Sequence, residues 1–347
     1  MKYLIYISFI FFITNANTAL NADFQYYKEN NIIEEYKLKL HAIWDKVHNR
    51  NEEISKTDVG TLKLIEKKAI QFNNSDLFYN LGVVYMNISD SYRAEKWMAK
   101  AAELYHPYAL HNIGWWYDHG FGHIQEDKST ATSFYDIAFW KLGVARSGTR
   151  LAEIIFFNEF SKFDYDYAIK ILSHLLSQSN EFNLDEKDIT NVNFLLGRFY
   201  FEHHEDGKQE ENIDHAIKYL KKASAQNNIE VVLTVAKALR KKYSITNDLK
   251  YNEEAKLYYL QAASLGSAEA MIYLGNIYLE NYQTDEEKIK GLGWMLTGYS
   301  TGKIDRELER KVTDDLSKID KTDFYILRNL VISCHEQKYK NCFLAEK

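Results

Sequence analysis

Proline is almost absent from this 347-residue sequence, which contains a single one, Pro107, and only 15 glycines. This scarcity excludes collagen-like and linker-rich chains and argues against a β-sandwich, whose many turns use both residues. Because 46% of the residues are hydrophobic, the chain can still bury a sizeable core. An excess of basic residues is also missing. The net charge of −6 means that the chain lacks the excess positive charge typical of nucleic-acid-binding proteins, and it favours a basic partner.

Long apolar runs are missing as well, except near the N-terminus. There, Lys2 precedes an apolar run from Leu4 to Ile13, and small residues such as Ala16 and Ala19 follow it. This layout is typical of a secretory signal peptide, predicted at residues 1–22, with a buried helix as the alternative interpretation. We therefore expect an exported protein, periplasmic or secreted, whose mature chain has no transmembrane segment.

Cysteine occurs only twice, at Cys334 and Cys342. An exported chain meets oxidising conditions, in which the two could form a disulfide. On one continuous helix, their separation of eight residues would place them about 12 Å apart, which is too far to bridge. Pairing therefore requires the helix to end between them, near residues 338–341, and the sequence leaves this open.

The sequence does contain a recurring helical motif, in which an aliphatic residue and a glycine precede a tyrosine. The copies are Leu81-Gly82 with Tyr85, Ile113-Gly114 with Tyr117, Leu196-Gly197 with Tyr200, and Leu274-Gly275 with Tyr278. The first two glycines are 32 residues apart, and the later intervals leave room for two repeats each, with Ala236 midway in the last. A second helix rich in alanine follows, so that small residues on both helices permit close packing. Such a period predicts a helical solenoid.

These motifs resemble the Sel1-like repeat, a relative of the tetratricopeptide repeat. The clearest copy matches that pattern at Ala109, Ile113, Gly114, Tyr117, Gly120, Gly122, Asp127 and Ala131. The resemblance implies an all-α, right-handed α-solenoid of helix hairpins, with about six repeats over residues 75–303. The repeat near residues 150–176 is degenerate, with Ile154-Ile155 where Leu-Gly is expected. Residues 23–74 and 304–347 are predicted to be helical caps.

The resemblance also implies that the first helix of each hairpin lines a concave side that binds another protein or peptide. Positions two before and two after each motif glycine share a helix face, and the residue directly after the glycine flanks it. The predicted partner-binding residues are Asn112, Trp115, Trp116, Arg198 and Tyr273. For each aromatic residue, the alternative is packing between neighbouring repeats.

Two stretches contain potential metal ligands, namely His119-Gly-Phe-Gly-His123 and residues 202–206. Both fall in predicted loops, and neither has a spacing that makes its ligands converge, so we expect no metal and no cofactor. Nucleophile, phosphate-binding and zinc-protease motifs are also missing, and no catalytic residue is predicted. We expect a non-enzymatic scaffold of the bacterial envelope, either a regulator or a periplasmic immunity protein. A cell-wall hydrolase that uses the solenoid as a frame is the alternative.

Overall fold

The computed structural model describes residues 31–157, 165–202, 209–224, 227–280, 282–302, 321–339 and 342. The predicted signal peptide and residues 304–320 of the predicted C-terminal cap lie outside these ranges. Two compact units divide the chain, Met1–Ile154 (the first unit) and Ile155–Lys347 (the second unit). Regular structure in the described residues is α-helical, and the β pairing among them is one isolated bridge between Phe121 and Ile124.

The helices follow one another with short connections. They are α1 (Asn31–His48), α2 (Lys56–Phe72), α3 (Ser75–Asn87), α4 (Ser91–Glu103), α5 (Pro107–His119), α6 (Lys128–Trp140), α7 (Ala145–Phe157), α8 (Tyr165–Ser177), α9 (Glu186–Glu202), α10 (Gln209–Ala223), α11 (Ile229–Thr246), α12 (Leu249–Ser264), α13 (Ala268–Glu280), α14 (Asp285–Ser300) and α15 (Lys321–Glu336). Among these described helices, none combines the length and the hydrophobicity that crossing a membrane requires.

Consecutive helices pack as pairs, each made of a first helix with the motif residue and a second helix rich in alanine. In the first unit α3 packs on α4 and α5 on α6, and in the second unit α9 packs on α10, α11 on α12 and α13 on α14. The alanines of the second helices, such as Ala94, Ala216 and Ala255, are completely buried. The prediction of an all-α array of helix hairpins is confirmed.

The motif glycines allow the two helices of a pair to approach closely. A Cβ atom on Gly275 would clash with Met295 Cγ and lie 2.6 Å from the carbonyl oxygen of Gly291, both on α14. A Cβ atom on Gly197 would lie 2.5 Å from Leu220 Cγ on α10. Separations this short do not occur for real Cβ atoms, so the backbone of the first helix can sit here only without a side chain. The predicted packing role of the glycines is confirmed.

The degenerate repeat is in a different register from the one expected. In α3, α5 and α13 the motif glycine is the eighth residue of the helix, and in α11 the eighth residue is Ala236. The eighth residue of α7 is Ala152, which is buried together with Leu151, whereas Ile155 is partly exposed. Leu151-Ala152 therefore takes the place of Leu-Gly. The expectation for Ile154-Ile155 was wrong because alanine replaces glycine at this position.

The single proline and several glycines lie at helix ends and in turns. Pro107 is the first residue of α5, where its missing N–H costs no hydrogen bond. Gly120 and Gly122, in the turn between α5 and α6, have φ angles of 75° and 56°. Gly266, just after α12, has a φ of 95°, a conformation that ends helices and suits glycine. These residues therefore stand where their restricted or permissive backbone is needed.

The two cysteines lie on either side of a helix end. Helix α15 ends at Glu336, and Lys338 and Tyr339 then adopt positive φ angles. The chain thereby turns back, and Cys342 forms a disulfide with Cys334, with the two Cα atoms 5.0 Å apart. The structure thus meets the geometric requirement that the helix must end between them.

Replacing Gly275 with alanine should lower the free energy of unfolding by about 2 kcal/mol, because the added methyl group overpacks the contact with α14. The matched control is Gly60→Ala on α2, where a Cβ atom would meet nothing within 4 Å. There, alanine should instead add about 0.5–1 kcal/mol through its helix propensity. Urea denaturation measures both values, and equal shifts in the two variants would contradict the packing role of Gly275.

Candidate functional site

A common numbering of the first helices shows which of their side chains reach solvent. Position 0 is the small motif residue, namely Gly82, Gly114, Ala152, Gly197, Ala236 and Gly275 in α3, α5, α7, α9, α11 and α13. At about 100° per residue, positions −6, −2, +1 and +5 point within roughly 60° of one another. Apart from Leu195, the side chains at these positions are exposed or partly exposed. We call this surface the first-helix face.

Four of the five predicted partner-binding residues lie on the first-helix face. Asn112 and Tyr273 occupy position −2, and Trp115 and Arg198 occupy position +1. Asn112 and Trp115 belong to the first unit, whereas Arg198 and Tyr273 belong to the second. The first-helix face is therefore present in each unit, with different residues.

Trp116 does not lie on this face. It is only 1% exposed, and its ring stacks on Phe121 with the centroids 4.6 Å apart. Position +2 is buried in every first helix, at Val84, Trp116, Ile154, Phe199, Ala238 and Ile277. The expectation that positions −2 and +2 share the exposed face was wrong, because position +2 lies about 40° farther round the helix, where it points into the core. Trp116 is a core residue.

Trp115 is the large aromatic residue that α5 presents to solvent. It is 42% exposed, and it stacks on His119 one turn later with a centroid separation of 4.7 Å. Nδ1 of His119 lies 3.1 Å from the carbonyl oxygen of Trp115. Tyr108, at position −6 of the same helix, is 49% exposed. Helix α5 thus offers two rings of the kind that anchor protein interfaces.

The Tyr108 ring is backed by side chains of the neighbouring pair. Tyr79 lies 6.2 Å from the Tyr108 ring and stacks on His106 at 4.3 Å. Burial raises the pKa of Tyr79, and a hydrogen bond with Asn112 lowers it by a smaller amount. Because Tyr79 is on α3 and Asn112 is on α5, this hydrogen bond joins adjacent first helices beneath the aromatic surface.

His111 lies at the edge of the face and is uncharged at neutral pH. Its Nδ1 is 2.8 Å from the hydroxyl oxygen of Ser147 on α7, so it joins α5 to the next first helix. Burial, and to a lesser extent the positive charge of Arg146, lowers the pKa of His111 to about 4. The histidine therefore contributes a hydrogen bond and no charge at pH 7.

Asp118 is a buried charge that the sequence did not reveal. Its carboxylate is fully buried, with Lys128 Nζ 2.6 Å from Oδ1 and Arg150 Nε 2.5 Å from Oδ2. Burial alone would raise the pKa of Asp118, but the hydrogen bonds from Arg150 and Lys128 hold it below its ordinary value. These partners are 32 and 10 residues away in the chain, so no spacing within one helix predicts them. The cluster connects α5, α6 and α7 and so fixes the position of the first-helix face.

The first-helix face of the second unit carries paired charges instead of exposed rings. Arg198 Nη1 lies 3.2 Å from Glu230 Oε1, and Lys237 Nζ lies 2.6 Å from Glu269 Oε1. Tyr273 stacks on Tyr259 at 5.5 Å, and the Lys237 ammonium lies 5.9 Å from the Tyr273 ring. In this unit the predicted partner-binding residues Arg198 and Tyr273 are engaged by the protein's own side chains.

The histidine-containing loop shows no converging ligands. The side chain of His123 is 74% exposed and points to Glu95, whereas His119 stacks on Trp115. Within the described ranges, no three histidine, cysteine or acidic side chains are placed so that they could hold a metal ion. Residues 203–206 of the second histidine stretch lie outside those ranges.

The comparisons with known proteins identify the repeat. The sequence model of the Sel1 repeat matches residues 79–106, 107–138, 192–228 and 250–267. The four segments include α4 and α5 and most of α3 and α6 in the first unit, and α10 and most of α9 and α12 in the second. None of the curated protein sequences is significantly similar to this chain.

Two solved structures share the fold at low sequence identity. The first is a protective antigen of uropathogenic Escherichia coli strains that displays an SLR fold, with 16% identity and a TM-score of 0.53. The match covers 92% of this chain and 65% of that one, so this chain spans less than two thirds of the antigen's length. The second is a Sel1 repeat protein from Oxalobacter formigenes, with 16% identity, a TM-score of 0.50, and coverage of 88% of this chain and 91% of that one.

The low pKa of His111 predicts a loss of stability in mild acid. The unfolded chain takes up a proton as the pH falls below 6.5, whereas the folded protein does so only near pH 4. His111 therefore costs nothing at pH 7 and up to about 3 kcal/mol at pH 4. Between pH 7 and pH 4, the free energy of unfolding of His111→Gln should therefore fall by about 3 kcal/mol less than that of the unchanged protein. His123→Gln, which changes an exposed ring, should behave as the unchanged protein, and parallel curves for all three would contradict the assignment.

Proposed function

Because the chain contains four Sel1 repeats, which are protein-interaction modules, we propose that it is an exported, non-enzymatic scaffold of the bacterial envelope. In this proposal it binds another protein or peptide through the first-helix face of the first unit, and it acts as a regulator or as a periplasmic immunity protein. The observation that carries the proposal is the exposure of Trp115 and Tyr108 on one face of α5.

The chemistry of the rings supports binding at this place. Tryptophan and tyrosine bury a large area at a low cost in side-chain entropy, and they dominate the energetics of protein interfaces. Trp115 is held by its stacking on His119, and Tyr108 is backed by Tyr79. Rings that are positioned before the partner arrives lose little freedom on binding, and this favours affinity.

The proposed export draws on two features at opposite ends of the chain. Lys2 and the apolar run from Leu4 to Ile13 have the layout of a signal peptide. The disulfide between Cys334 and Cys342 belongs to the kind of bond that persists outside the reducing cytoplasm. Each feature alone is common, and together they favour an oxidising compartment.

If the protein is exported, the chain isolated from cells of its source should begin between residues 14 and 23, and it should appear in the periplasmic or culture fraction. Mass spectrometry of the intact protein measures the first residue and also reports the mass deficit of the disulfide. A chain that retains Met1 and stays in the cytoplasmic fraction would refute export. Turnover of peptidoglycan fragments by the purified protein would refute the non-enzymatic role.

Site-specific photo-crosslinking tests the proposed binding face. A benzophenone amino acid at Tyr108 should form a discrete crosslink to one polypeptide in living cells. The same group at Leu38, which is 70% exposed on α1, should not. In the Tyr108 variant, adding Trp115→Ala should reduce the crosslink about tenfold, because an interface anchor is lost, while the melting temperature stays unchanged.

Trp116→Ala provides the contrast for this experiment. Because Trp116 is buried, its removal should lower the free energy of unfolding by about 3–5 kcal/mol. A Trp115→Ala protein that is equally destabilised, or that crosslinks as well as the unchanged protein, would show that Trp115 is not a partner anchor.

A further inference from the structure

One pair of positions on the first-helix face recurs in contacts between adjacent first helices. In the second unit, position +1 of one first helix contacts position −6 of the next, and both such contacts are salt bridges. They join Arg198 to Glu230 at 3.2 Å and Lys237 to Glu269 at 2.6 Å. Arg198 and Lys237 therefore each pair with a carboxylate of the protein itself. We call positions +1 and −6 of adjacent first helices the ladder positions.

The same pair of positions in the first unit holds different residues. Position +1 of α5 is Trp115, and position −6 of α7 is Arg146. Arg146 is exposed, and within the described part of the unit no carboxylate oxygen lies within 4 Å of its side-chain nitrogens. The other arginines of this unit, Arg50, Arg93 and Arg150, each form a salt bridge.

The surroundings of Arg146 favour an anion. Arg146 directly precedes Ser147, whose hydroxyl oxygen lies 2.8 Å from Nδ1 of His111, so the start of α7 lies beside α5. The positive charge of Arg146 also acts to lower the pKa values of Tyr79 and His111. With a pKa of about 4, His111 is neutral at pH 7 and neither repels the guanidinium nor competes for an anion. The carboxylates on the neighbouring first helix and on α7 itself already have cationic partners, since Asp76 is 2.6 Å from Lys37 Nζ and Glu153 is 2.9 Å from Arg150 Nη1.

We propose that the partner presents a carboxylate, from an aspartate, a glutamate or a chain end, to the guanidinium of Arg146, and packs an adjacent apolar side chain on Trp115. The partner segment thus supplies the carboxylate that Glu230 and Glu269 supply in the second unit. Guanidinium groups bind carboxylates with two parallel hydrogen bonds, which fixes orientation as well as position. This proposal rests on the proposed function and specifies the chemistry of its partner.

The local charge of this surface is opposite to that of the whole chain. The net charge of −6 favours a basic partner at long range. However, salt screens charges that are more than about 8–10 Å away, so at contact distance the nearest unpaired charge dominates the electrostatic interaction with a partner. That charge is the Arg146 guanidinium, so a basic segment would be repelled at this face.

Peptide selection tests the proposal. Random dodecapeptides displayed on phage are selected on the full chain, on Arg146→Glu and on Lys141→Glu, which reverses an exposed charge five residues earlier. The original protein and Lys141→Glu should enrich aspartate or glutamate next to an aromatic or leucine residue. Arg146→Glu should enrich lysine or arginine in that place. Retention of the acidic preference by Arg146→Glu would overturn the proposal.

A binding cycle with one selected peptide gives the magnitude. Changing its acidic residue to the amide and changing Arg146 to glutamine should each raise the Kd about tenfold, and the double change should add little to either. Additive effects would overturn the contact. Selected peptides that depend on Trp115 but show no acidic preference would overturn the acidic partner and leave the proposed function standing. Peptides that bind equally well to Trp115→Ala would contradict the binding face itself.

Discussion

The structure depends on the close approach of two helix backbones at one small residue in each hairpin. At Gly275 and Gly197 the facing helix occupies the space that a Cβ atom would need. Where the residue is alanine, as at Ala152 and Ala236, its methyl group is completely buried. Because this contact fixes the rotation of each first helix about its axis, it also decides which residues of that helix enter the core and which remain in solvent.

That rotation explains why two neighbouring tryptophans have different roles. Trp115 and Trp116 are about 100° apart around α5. One is 42% exposed and the other 1%. The buried ring stacks on Phe121 in the core, whereas the exposed ring stacks on His119 of its own helix. The first-helix face is thus determined by packing, because its residues are those that the contact at position 0 turns away from the core.

Much of this fold could be predicted from the sequence, because glycine, alanine and tyrosine recur at a regular period. Asn112 and Trp115 lie on the first-helix face, whereas Trp116 is buried. A difference of about 40° in direction separates the exposed from the buried positions, and the sequence of one helix does not reveal where that boundary falls. The Asp118 cluster could not be predicted for another reason. Its partner Arg150 belongs to another hairpin, 32 residues away, and only the packed array brings the two together.

The two first-helix faces differ in which of their groups already have partners within the chain. In the second unit, the ladder positions hold charges of opposite sign, and these charges already pair with each other within the chain. In the first unit, the equivalent positions hold an indole and a guanidinium, which leave hydrogen-bond donors and apolar area available. Positions +1 and −6 lie outside the buried contact at position 0, so their residues can differ between repeats without disturbing that contact.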